Sequence, residues 1–72
     1  MRKARLQLFL RRNANKYPEF QRVLDNDKLF ETLDDAIVRE TSGRPILDFM
    51  KWLVDNRAEI LDLVKQILLM FK

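Results

Sequence analysis

The chain contains no cysteine and no histidine, and its 72 residues include one glycine, Gly43, and two prolines, Pro18 and Pro45. Without cysteine no disulfide can brace the fold, and without either residue the nitrogen and sulfur ligands of a structural zinc site are missing. A chain this short lies near the lower limit at which one hydrophobic core holds a fold by itself. Helix packing, self-association or a partner must therefore supply the stability. So few glycines and prolines do not provide for the turns and bulges of a β-rich fold. The many Leu, Arg, Lys, Glu and Met residues are good helix formers, and together these observations predict an all-α domain.

The same absences bear on chemistry. Histidine is the commonest general base and cysteine the best nucleophile at neutral pH, and both are missing. The only hydroxyls belong to Tyr17, Thr32, Thr41 and Ser42, none within a nucleophile motif. A single glycine, in Ser42-Gly43-Arg44, falls short of a phosphate-binding loop. Glu31, Asp34 and Asp35 read as the solvated acidic face of a helix, since a metal cage needs more convergent oxygens. The expectation is a non-enzymatic protein with no cofactor and no metal.

Charge is distributed unevenly. Residues 1–17 hold Arg2, Lys3, Arg5, Arg11, Arg12 and Lys16 with no acid, and the rest of the chain holds eight basic residues against eleven acidic ones. A basic arm thus precedes a mildly acidic body, and the arm's six cations could neutralise phosphates of DNA or RNA. Arginines close both sides of the short run Leu6–Leu10, unlike a secretory signal, whereas an acid-free, arginine-rich start also fits a mitochondrial transit peptide. With no secretory signal and no cysteine, a soluble intracellular protein is the favoured expectation.

Apolar spacing divides the chain into helices. Residues 3–16 form a basic amphipathic stretch with Leu6, Phe9, Leu10 and Asn13 on one stripe. Pro18 ends it and can open a second, short helix over 18–25 that presents Phe20, Val23 and Leu24. Asp25, Asn26 and Asp27 are capping residues for a third helix over 28–40, burying Leu29, Phe30, Leu33, Ile37 and Ala36. Gly43 can take the left-handed conformation that closes it.

Residues 46–72 carry the strongest pattern. Read in sevens, the column Ile46, Leu53, Ile60, Ile67 and the column Leu47, Val54, Leu61, Leu68 are wholly apolar. The flanking columns are each interrupted once, at Asn56 and Arg57, while Asp48, Asp55, Asp62 and Lys51, Lys65 lie opposite. Four apolar positions in seven make a much wider face than a two-stranded seam requires. Asn56-Arg57-Ala58-Glu59 has the spacing of a capping box, which would divide the segment into helices over 45–54 and 57–71. The uninterrupted register instead favours one long helix, bent or broken near Asn56.

The expected architecture is a single domain over 1–72: a basic helix in 1–17, two short helices in 18–43, and an amphipathic helix in 45–72 on which the three pack. The charges at nearly every turn of the last segment exclude a membrane span, which needs about 20 predominantly apolar residues. Lying on an anionic membrane surface is a lesser alternative. About fifteen apolar residues face three narrow stripes, so part of the wide face is expected to meet a second copy or a protein partner. The candidate interface is Trp52, Ile60, Leu63, Val64, Ile67, Leu69, Met70 and Phe71, with Leu69 standing where the aspartate column would continue. The candidate polyanion-binding residues are Arg2, Lys3, Arg5, Arg11, Arg12 and Lys16, and nucleic acid is the alternative partner they suggest.

Overall fold

Pro18 lies at the start of a helix whose preceding residue, Tyr17, is extended, as a residue before proline must be. The computed structural model describes residues 2–43 and 46–71, and five helices occur among them: α1 (Arg2–Asn13), α2 (Pro18–Leu24), α3 (Asp27–Thr41), α4 (Phe49–Asp55) and α5 (Arg57–Met70). The domain is all-helical over the described residues. Pro45, expected to open the last segment, lies outside them.

Local chemistry sets most boundaries. The Asn13 side-chain amide donates to the Phe9 carbonyl at 2.8 Å, and the Tyr17 amide to the Asn13 carbonyl at 2.8 Å, which together close α1. Asn26 caps α3, its side-chain oxygen accepting from the amides of Lys28 and Leu29 at 3.0 and 3.3 Å. Two otherwise unpaired donors at the helix start are thereby satisfied. At the far end Gly43 has φ +78°, the left-handed conformation expected of it.

The C-terminal segment departs from the single long helix that its register favoured. Asn56 separates α4 from α5, with φ −112° and ψ 22°. Its spacing to Glu59 suggested a capping box, but its side chain makes no cap bond to α5; its amide donates backwards to the Trp52 carbonyl at 2.8 Å. This repeats the arrangement of Asn13. The helix also starts later than expected: Asp48 caps α4 by accepting from the Lys51 amide at 3.1 Å.

The break gives the two pieces different neighbours: α4 packs on α1, while α5 packs on α2 and α3. One column, Leu53, Ile60 and Ile67, stays buried on both sides of it. Of the adjacent column, Leu47 precedes α4 and is exposed, and Val54 within α4 is exposed as well. Leu6, Phe9, Leu10, Phe20, Val23, Leu33, Ile37, Leu53, Ile60 and Val64 form the fully buried centre. The Phe20 ring is shared, 5.8 Å from Phe9 and 5.3 Å from Tyr17 in tilted contacts of the kind aromatic quadrupoles favour. A radius of gyration of 11.3 Å equals the roughly 11 Å expected of a compact chain of this length.

Candidate interaction surface

The face of α5 that points inward is made by Ile60, Val64 and Ile67, the first two with no exposed surface and the third 5 % exposed. These three, expected at an interface, belong to the intramolecular core, because α2 and α3 close over them. Leu63 is half-buried, and so is Trp52, which stacks on Phe49 at 6.1 Å and packs against the core. What faces water is the end of the helix, where Leu69, Met70 and Phe71 are 63, 75 and 40 % exposed. The Phe71 ring is partly attended by the Lys28 ammonium, 5.4 Å from its centroid. Successive positions point about 100° apart, so these three apolar side chains are spread around the end of the helix, with Leu69 outward and Phe71 towards Lys28 of α3.

The outer side of α5, opposite the core, carries Ala58, Asp62, Lys65 and Leu69, all exposed. Neither Asp62 nor Lys65 takes part in an ion pair among the described residues. Beside this face a shallow depression lined by Glu19, Arg22, Lys65, Leu68 and Leu69 runs towards α2.

The six cations of the N-terminal arm, five on α1 and Lys16 just after it, divide into two sets. Arg2 reaches α3, its Nε and Nη2 donating to the two carboxylate oxygens of Asp34, each at 3.3 Å. Asp34 is only 2 % exposed, so the solvated acidic face expected for Glu31, Asp34 and Asp35 holds for Glu31 and Asp35 alone. Lys3 donates to both oxygens of Glu31 at 2.9 Å. That hydrogen bond is the main cause holding the Lys3 ammonium above its ordinary pKa, with the nearby charges of Glu31, Asp34 and Asp35 adding to it against a smaller effect of burial. Cations at a helix N-terminus oppose its dipole, so the α3 carboxylates offset an otherwise unfavourable start to α1.

Arg5, Arg11, Arg12 and Lys16 have no carboxylate partner among the described residues, although Lys16 lies 5.7 Å from the Tyr17 ring centroid. Arg5 and Arg12 fall on one line of α1, seven residues and about 10 Å apart, and Lys16 follows in the turn after the helix. Exposed Leu8 separates that line from Arg11. The arm therefore presents four available cations rather than six.

Between α1 and the α2–α3 junction a groove is lined by Ala4, Gln7, Leu24 and Phe30, with Arg2, Lys3 and Asp27 at its rim. It brings together no nucleophile and base. Among the described residues no three acidic side chains converge to hold a metal ion, and no helix is long and apolar enough to cross a membrane.

Spacing alone missed two features of these surfaces. Asp34 follows the core residue Leu33 and differs from exposed Asp35 only by its position on the helix, a signal that sequence periodicity contains but that its charge concealed. On the outer stripe of α5 the sequence marked Leu69 as a contact residue but assigned Asp62 and Lys65 only to the wet side of the helix. Compared with models of protein families, with curated proteins and with solved structures, the chain matches none, so its function is argued from its own geometry.

Proposed function

We propose that the protein is a non-enzymatic helical interaction module that associates with another protein chain, its own copy included, through the outer and terminal surface of α5. The observation that carries this reading is the exposure of Leu69, Met70 and Phe71 in succession at the end of a helix whose inward side is already used by the core. Removing such side chains from water is favourable by about 25 cal/mol per Å² of apolar surface. Trp52 and Leu63, both half-buried, are candidates for further contact residues in this reading.

Size-exclusion chromatography with light scattering tests it. Met70→Asp with Leu69→Asp changes two exposed residues, so the fold should persist by circular dichroism while association is lost. Unchanged association of a folded double variant would remove the terminal patch from the interface.

A second reading rests on a separate observation, that Arg5, Arg11 and Arg12 on α1 and Lys16 just after it have no carboxylate partner among the described residues. We propose as the alternative that this face binds a polyanion such as nucleic acid. If all four meet phosphates of a duplex, log affinity should fall against log salt with a slope of about −3 to −4. Reversing Arg12 and Lys16 to glutamate should abolish a low-salt mobility shift, and no shift of the unaltered protein with DNA or RNA at low salt would end this reading.

A further inference from the structure

The stripe Ala58, Asp62, Lys65, Leu69 runs along α5 with spacings of four, three and four residues. At about 100° per residue these positions lie within about 60° of one another on the helix surface. They form the side directly opposite Ile60, Val64 and Ile67, and all four are exposed. The order along the stripe is small, acidic, basic, large.

We infer that this stripe is an isologous docking surface for a second copy of the same chain, with the two α5 helices antiparallel. The inference rests on the self-association reading above and gives it an orientation and a register. A two-fold axis midway between Asp62 and Lys65 sets Asp62 of each chain against Lys65 of the other. The same axis sets Ala58 of each chain against Leu69 of the other. Two ion pairs thus form at the centre, and at each end a large side chain lies over a small one, which is the complementarity that lets helices approach to 8–10 Å. One operation satisfies both relations, as a two-fold contact requires.

The alternative orientation is disfavoured by the same residues. A parallel pair in register would place Asp62 on Asp62 and Lys65 on Lys65, like charge on like charge. Within one chain, Asp62 and Lys65 form no ion pair with each other or with another charged group among the described residues, so both are available to a second chain. Met70 borders the end of the stripe and adds apolar area beside Leu69. A single helix face falls well short of the roughly 800 Å² per partner of a stable complex. The pair is accordingly a dissociable dimer, in equilibrium with monomer over micromolar concentrations.

Sedimentation equilibrium on the full chain and on three variants tests the arrangement: Asp62→Lys, Lys65→Asp, and the two changes together. Each single reversal creates two like-charge contacts and should weaken the dimer at least tenfold. The two single variants mixed in equal amounts should associate as a heterodimer, and the double variant should recover homodimerisation. Cross-linking gives a second readout, since the chain has no cysteine of its own. With Ala58→Cys and Leu69→Cys in one chain the thiols are about 16 Å apart along the helix, too far to pair with each other. Oxidation should therefore yield a covalent dimer from the double-cysteine protein, and neither single-cysteine variant should give it comparably. If the unaltered protein dimerises but the reversals change its dissociation constant less than twofold and the cysteines do not cross-link, this register is overturned while self-association stands. If the unaltered protein stays monomeric to millimolar concentration, self-association and the register fall together.

Discussion

Asp34 follows Leu33 on α3, and its carboxylate is almost wholly buried against the Arg2 guanidinium, whose own side chain is 43 % exposed. The asymmetry predicts unequal effects of breaking the pair. Arg2→Ala strands a buried carboxylate and should cost about 3 kcal/mol. Asp34→Ala leaves an arginine that water can reach, and should cost about 1 kcal/mol. Urea denaturation of the two variants measures the difference; equal losses would contradict the assignment of burial. The neighbouring Lys3–Glu31 pair has a pH signature. Because the Lys3 pKa is raised above its ordinary 10.5, its contribution is fully present below that value and is lost as pH rises through the raised one. The urea midpoint of the unaltered protein should therefore fall more over that alkaline window than that of Lys3→Met, by a small margin since the pair is exposed.

Helix ends give the second set of expectations. Asn13 and Asn56 each donate a side-chain amide to the carbonyl four residues back, both at 2.8 Å, and each stands where a helix stops. Asn13→Asp keeps the shape but replaces the donor with a negative charge at the C-terminus of α1, whereas Asn56 also precedes α5, so there Asn56→Ala removes the donor without adding a charge. Asn13→Asp should lower stability by about 1–2 kcal/mol and Asn56→Ala by about 1 kcal/mol in thermal or urea unfolding, and no change would mean that the amides do not set these ends. The limits of α2 and α3 were legible in the sequence, because Pro18, the Asn26 cap and Gly43 act locally, whereas α1, expected over 3–16, ends at Asn13 and a turn separates it from Pro18. The junction at Asn56 was less so. The apolar columns run through it without a shift, and what divides the segment is the shortness of the stripes available on α1, α2 and α3. For the same reason width of the apolar face overstated the free surface. Ile60, Val64 and Ile67 are needed by the core, whereas Leu69, marked out by its place in the aspartate column, does face water. The paired state of Arg2 and Lys3 depends on α3 lying beside α1, a tertiary relation that no local pattern contains.

At the scale of the molecule, five short helices share a centre in which Phe20 touches two other rings and has no exposed surface. Truncating such a ring costs about 3–5 kcal/mol, comparable to the whole stability of a domain near the lower size limit. Phe20→Ala should be unfolded at 25 °C by circular dichroism, and a cooperative, native-like melt would contradict the placement of the core. Most of the apolar residues of the last segment thus support the monomer's own fold, and what α5 leaves for a second chain is its outer stripe and its final turn. The most direct test of that division is the molar mass of the unaltered protein by light scattering, measured from low to high micromolar concentration in 0.15 M and 1 M salt. Self-association through α5 should raise the mass from the 8.7 kDa of one chain towards twice that value as concentration increases, persisting in high salt because apolar contacts contribute to it. A mass that stays at one chain throughout, in a protein that is folded, would contradict self-association through α5.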